Sequence, residues 1–289
     1  MRLRNPSISI ECWQRNDLPI SCCISPDLSS IWRICFRELT RSEEELAAAR
    51  EAVEIDRTLA QLRPDVHQLH LAISLSALSR HLTELGHREE ALASAREATD
   101  LNRSIAAARP IFRPSLARSL NEMACCLDDL GQLEEALAAS QEATDLFRVL
   151  VASQPRPFRT GLAYSLNHLC RRLRNLGRSE AGLAAAQEAL ELFRADVANR
   201  PDTFRAIRAL SLRNMAICLN QLGQPKEALA NARDAISLLL PTLQALPANY
   251  AGQMRAAIDT YSELCEAAGQ TRDNSLVGPI LRLLTSLSD

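Results

Sequence analysis

Residues 127–147 read LDDLGQLEEALAASQEATDLF, and the phrase returns as LTELGHREEALASAREATDLN from Leu82, LRNLGRSEAGLAAAQEALELF from Leu173 and LNQLGQPKEALANARDAISLL from Leu219. Glycines mark the interval: Gly86, Gly131, Gly177, Gly223 and, with a weaker surrounding match, Gly269 stand 45, 46, 46 and 46 residues apart. Prolines keep the same beat at Pro64, Pro110, Pro155, Pro201 and Pro247. Five of the nine glycines fall on this mark, so glycine acts here as punctuation. A phrase that recurs at a fixed interval describes a unit that cannot bury its own apolar face. Each copy is the neighbour the previous copy needs.

Within a unit, the stretch from proline to glycine carries apolar residues on one helical face. Leu116, Leu120, Met123 and Leu127 form the stripe in one unit, and Leu162, Leu166, Leu169 and Leu173 form it in the next. Offsets of 0, 4, 7 and 11 keep to one side of an α-helix. Glycine suits the left-handed position that closes that helix. A second helix follows, with small residues at Ala91 and Ala98, Ala136 and Ala143, Gly182 and Ala189, and Ala228 and Ala235, where the two helices must approach closely. Leu92, Leu137, Leu183 and Leu229 come directly after and fill the layer between units.

Composition agrees with helix. Hydrophobic residues make up 47% of the 289-residue chain and aromatics 4%, and the apolar share is mostly alanine and leucine. A formal net charge of −2 argues against duplex DNA or an acidic membrane as a general electrostatic partner. The nine cysteines are scattered without a CxxC pair, which points to neither a disulfide framework nor a zinc site. The N-terminus lacks an apolar core of leader-peptide length, and no stretch approaches ~18 uninterrupted apolar residues. The expectation is a soluble protein of the reducing cytoplasm.

The pattern resembles the tetratricopeptide repeat over residues 42–270, on the strength of the small residues at the close-packing positions, the glycine at the turn and four consecutive copies. The unit exceeds the usual length by about three helical turns, which keeps each apolar face in register. Long units of this kind resemble those of kinesin light chains and of the arrays attached to NACHT and NB-ARC signalling NTPases. The LNNLA phrase of those arrays appears here as LNEMA at Leu120, LNHLC at Leu166 and LRNMA at Leu212. The resemblance implies an all-α fold, a right-handed superhelical α-solenoid of stacked antiparallel helix pairs.

The ends depart from the pattern. Residues 1–41 have no repeat phasing and form either an irregular cap that packs Trp32, Ile34 and Phe36 on the end of the array or a poorly ordered segment. Residues 42–63 read as a half unit, the second helix of a pair, with Ser42 and Glu45 at capping-box spacing. Full units start near 64, 110, 155, 201 and 247. Residues 271–289 are a capping segment in which Gly278–Pro279 is expected to interrupt the last helix.

Chemistry is hard to find. The chain has no P-loop, GxGxxG, HExxH or GxSxG motif and no assignable nucleophile–base set, so neither catalytic residues nor a cofactor is expected. His67 and His70 have helical metal-ligand spacing, but polarity at a helix start explains them, and no metal is expected. Adjacent Cys125 and Cys126 point in different directions on a helix and read as small semi-buried residues.

Function is then expected on the concave face, which the resemblance assigns to the first helices at thirteen, ten, nine and six residues before each glycine. These positions give Arg118, Asn121, Glu122 and Cys125, then Tyr164, Asn167, His168 and Arg171, then Leu210, Arg213, Asn214 and Ile217. Arg118, Asn121, Tyr164, Asn167, Arg171, Arg213 and Asn214 are the candidate peptide-binding residues. Asparagine can hold an extended peptide backbone and arginine can take a carboxylate in a bidentate pair, which suits an acidic peptide. The expected function is a non-enzymatic scaffold or adaptor for a protein partner. The alternative is the regulatory or sensor arm of a larger signalling NTPase. Low aromatic content and near-neutral charge disfavour RNA.

Overall fold

A computed structural model describes residues 26–193 and 201–287, with side chains described for residues 42–193 and 204–287. The described residues are almost entirely helical and contain no strand. The chain divides into two compact units, residues 1–47 and 48–289. Helix α1 (Pro26–Leu62) begins in the first and ends in the second. The second unit continues with α2 (Pro64–Glu84), α3 (Arg88–Ala108), a 3-10 turn (Pro110–Phe112), α4 (Arg113–Asp129), α5 (Leu133–Ser153), α6 (Pro155–Asn175) and α7 (Ser179–Glu191). It ends with α8 (Pro201–Gln221), α9 (Pro225–Ala245), α10 (Pro247–Ala267) and α11 (Asn274–Thr285).

Each helix from α2 to α9 packs on the next, and the first helices also touch one another, α2 with α4, α4 with α6, α6 with α8 and α8 with α10. This is an all-α solenoid of helix pairs. The first helices are its closely spaced rank.

The punctuation has a physical basis. Gly131 has φ of 72°; its N–H reaches Asp128 O at 2.9 Å, and Gln132 N–H reaches Leu127 O at 2.9 Å. That crossed pair satisfies two carbonyls at the helix end, and it requires a left-handed residue that glycine supplies without strain. Gly177 repeats the arrangement. Proline starts α2, α6, α8 and α10, where its missing N–H costs nothing. Pro110 instead opens the 3-10 turn, and Pro114 takes the helix-start role in α4.

Ala91, Ala98, Ala136, Ala143, Ala189, Ala228 and Ala235 are all buried. At Gly182 even a methyl group would crowd, since it would sit 3.2 Å from Cys170 O and 3.3 Å from Cys218 Sγ. Leu120 and Leu166 are completely enclosed, whereas Met123 lies half-buried at the edge of its stripe.

Two local expectations change. Ser42 lies inside α1, which begins at Pro26, so its spacing to Glu45 does not mark a helix start. The packing expected of Trp32, Ile34 and Phe36 lies outside the described side chains, and residues 1–25 lie outside the described residues. At the other end α11 runs straight through Gly278 and Pro279. The Asp273 carboxylate accepts from Ser275 N–H and Leu276 N–H at its start, and Val277, Ile280 and Leu284 are buried. Capping and burial together offset the hydrogen bond that Pro279 removes.

Candidate functional site

The units are joined differently on their two sides. Along the second helices, an arginine ten residues after one glycine position meets a glutamate four residues after the next, as Arg96 meets Glu135 at 2.9 Å. An arginine seventeen residues after meets a glutamate eleven after the next: Arg103 meets Glu142 at 2.9 Å and Arg148 meets Glu188 at 2.7 Å. Arg50–Glu90 at 2.7 Å and Arg57–Glu97 at 2.8 Å put the C-terminal part of α1 in the same register. That register would place a turn glycine at Thr40, yet the helix continues through it.

The first-helix rank is built by polar side chains of mixed exposure. A pocket of about 490 Å³ lies between α4 and α6. Pro114, Phe147, Pro157 and Phe158 give it apolar walls, and Arg118, Asn121, Glu122, Tyr164 and His168 supply polar groups. Gly161 makes room for the floor, because a Cβ there would stand 2.5 Å from Phe147 Cε1. Arg118 and Tyr164 are exposed. Loss of water around Glu122 pushes its carboxyl up, opposed by a hydrogen bond with Ser76 and by the nearby charges of Arg80 and Arg118. Burial, reinforced by Arg172 and Arg171, pushes His168 down to about 4, so this imidazole is neutral at physiological pH.

Asn167 and Asn214 stand elsewhere. Both are buried in the contact between α6 and α8. Asn167 Nδ2 donates to Ser211 Oγ at 2.8 Å and to Ala163 O at 2.9 Å, and Asn214 Nδ2 donates to Asn167 Oδ1 at 2.9 Å. Asn121 is half-buried and makes the corresponding, longer bond to Ser165 Oγ at 3.3 Å. These asparagines therefore spend hydrogen bonds on holding first helices together, Asn167 and Asn214 entirely out of solvent.

Arg171 and Arg213 belong to a third group. Arg171 Nη2 pairs with Asp128 Oδ2 at 2.9 Å, and Arg172 Nη2, on a fully buried side chain, pairs with the same oxygen at 3.1 Å. Arg172 Nη2 also lies 3.4 Å from Cys125 Sγ, which is 4.0 Å from His168 Nδ1. Arg213 is half-buried; desolvation lowers its pKa, and the charges of Arg174 and Arg171 add to the shift. Cys170 and Cys218 are free thiols 3.6 Å apart between the same two helices. Among the described residues no set of three or more His, Cys, Asp and Glu side chains could hold a metal ion, and His67 and His70 are simply tilted rings with centroids 5.8 Å apart. No helix among the described residues is long and apolar enough to cross a membrane.

A family model for the tetratricopeptide repeat matches residues 117–148, the second helix pair of the array together with its glycine turn. The structure is similar to that of BtubC (BKLC) from P. vanneervenii, with a TM-score of 0.64 at 18% identity over 86% of this chain and 92% of that one. The fold is that of a tetratricopeptide-repeat array. A Podosopora anserina putative kinesin light chain with nearly identical TPR-like repeats aligns with a TM-score of 0.51 at 17% identity, over 72% of this chain and 94% of that one. A Signal Transduction ATPase with Numerous Domains (STAND) protein with a tetratricopeptide repeat sensor, from Pyrococcus horikoshii, aligns with a TM-score of 0.58 at 18% identity. That alignment covers 89% of this chain but 38% of the STAND protein. No curated protein matches the sequence.

Sequence reasoning about the repeat array passed over Asp128, Arg172, Arg174 and the pocket floor. Asp128 and Arg174 share one register position, three residues before Gly131 and Gly177, outside the four positions assigned to the groove. Ser119, Ser165 and Ser211, each twelve residues before a glycine, are all buried, and Ser165 and Ser211 accept the bonds from Asn121 and Asn167 that join first helices.

Proposed function

We propose that this chain is a non-enzymatic scaffold that binds a peptide segment of a protein partner along the first-helix rank, with Arg118, Asn121 and Tyr164 at the entry and Arg171 and Arg213 further along. The pocket between α4 and α6 carries this reading. It combines an apolar floor with charged and hydrogen-bonding groups, the usual composition of a site that seats one side chain while holding a backbone. The arginines favour an acidic segment, and the free cysteines suit a reducing cytoplasm.

A phage-displayed peptide library selected on the purified protein tests the reading. Enriched peptides should lose at least tenfold in affinity to Tyr164→Ala and Arg118→Glu, with the melting temperature of each variant within a few degrees of wild type. Unchanged affinity for both variants, or no enrichment at all, would end the groove reading.

A second reading is the sensor arm of a larger NTPase, favoured by the likeness to the tetratricopeptide repeat sensor of the STAND protein. An immunoblot of the source cells separates the two. A band near 31.9 kDa supports the scaffold, and a band several times larger supports the arm.

A further inference from the structure

Four arginines, Arg171, Arg172, Arg174 and Arg213, gather where α6 meets α4 and α8, and their charges do not balance. The carboxylate in ion-pair reach of the group, among the described residues, is Asp128, which Arg171 and Arg172 share. Arg171 Nε, Arg172 Nε and Nη1, Arg174 Nη1 and Arg213 Nε are all buried and have no hydrogen-bond partner in the chain. Arg172 is 1% exposed, so its charge is fully committed to the interior. Leaving several cationic donors both desolvated and unpaired is costly, which makes a compensating anion from outside the chain strongly favourable.

The repeat register shows how the imbalance arises. Three residues before Gly131 the chain places Asp128, which faces the arginines of the next unit. Three residues before Gly177 it places Arg174, whose charge acts on Arg213 of the next unit, so like charges face one another where the preceding rung has an ion pair. Arg171 and Arg174 are one helical turn apart on α6 and share a side of it. The two helices cannot move apart to relieve the repulsion without breaking the buried Asn214–Asn167–Ser211 hydrogen bonds.

We infer that Arg171, Arg174 and Arg213 form a binding site for a phosphate monoester dianion, with Arg172 and Asp128 fixed behind it. Four guanidinium groups against one carboxylate leave an excess that a dianion neutralises better than a carboxylate, and guanidinium forks match its oxygens. The phosphate sits on a peptide if the groove reading, on which this inference rests, is right; inorganic phosphate offers the same chemistry. A single-stranded RNA would need a basic track with stacking aromatics along several units, and this cluster is confined to one rung.

The test has two arms, on the whole chain. In the first, thermal unfolding is followed in sodium phosphate and in sodium chloride at equal ionic strength. Wild type should melt several degrees higher in phosphate, Arg213→Gln and Arg174→Gln should lose the difference, and Arg103→Gln, on the second helices, should keep it. Removal of a like charge should leave the two cluster variants no less stable than wild type in chloride. In the second, fluorescein-labelled degenerate nonapeptides centred on phosphoserine, serine or glutamate are compared by polarisation. The phosphoserine pool should bind at least tenfold tighter than the other two, and Arg213→Gln should erase that preference.

Equal melting in the two salts, or a phosphate effect that survives both Gln variants, overturns the anion site. A phosphate effect without a phosphoserine preference overturns the peptide-borne source and leaves free phosphate as ligand. Equal competition by a single-stranded oligoribonucleotide overturns the peptide as well. Failure of the salt arm while selected peptides still depend on Tyr164 would end this inference alone.

Discussion

The two sides of the array handle arginine in opposite ways. On the second helices, Arg50, Arg57, Arg96, Arg103 and Arg148 each meet a glutamate of the next helix pair, in a register that repeats with the unit. On the first helices, Arg171 and Arg172 divide one aspartate while Arg213 feels the like charges of Arg174 and Arg171. The first side is compensated pair by pair; the second carries charge in excess and encloses one of its arginines, Arg172. Compensated exposed pairs align units at little energetic consequence. Enclosed excess charge is expensive in the isolated chain, so its natural role lies with a ligand.

The largest expected effect comes from removing the carboxylate that Arg171 and Arg172 share. Asp128→Asn should cost about 3 kcal/mol or more in urea unfolding, because the buried Arg172 loses its counter-charge. A loss under about 1 kcal/mol would show that Arg172 is solvated in a way its burial does not suggest.

Acid should act on the same side. The His168 imidazole stays neutral in the fold down to about 4, while in the unfolded chain it takes a proton near 6.5. Its contribution is thus fully present above about pH 6.5 and is lost progressively as the pH falls toward 4, by up to about 3 kcal/mol. His168→Gln should flatten the stability change between pH 7 and pH 4.5 measured by urea unfolding; an unchanged slope would remove His168 as its source.

Packing beneath both sides gives a comparable but pH-independent effect. Ala143→Leu should destabilise by about 1–3 kcal/mol, since this completely buried alanine sits where two helices close on each other. Circular dichroism melts at two pH values should show the same loss at each.

The smallest effect is expected on the compensated side. Arg103→Ala should cost about 0.2–1 kcal/mol, and 0.5 M salt should shrink that difference, because both partners are exposed. A larger loss would mean that the ladder is cooperative along the array and would narrow the contrast between the two sides.

The interval of the glycines and prolines alone determined the helix pairs, their turns and their buried alanines, because each depends on local backbone geometry and on the size of a single residue. The open positions of the pocket, Arg118 and Tyr164, were legible for the same reason: they follow from helical phase. Tertiary structure decided the rest. It carried α1 through Ser42 and α11 through Pro279, since neighbouring surfaces outweigh local stop signals. It also drew Asn167 and Asn214 into the contact between helices and set Arg174 against Arg213. Helical phase tells which way a side chain points from its own axis, but how close the next axis comes depends on every layer between. That distance determines whether a polar side chain meets water, a partner or another charge.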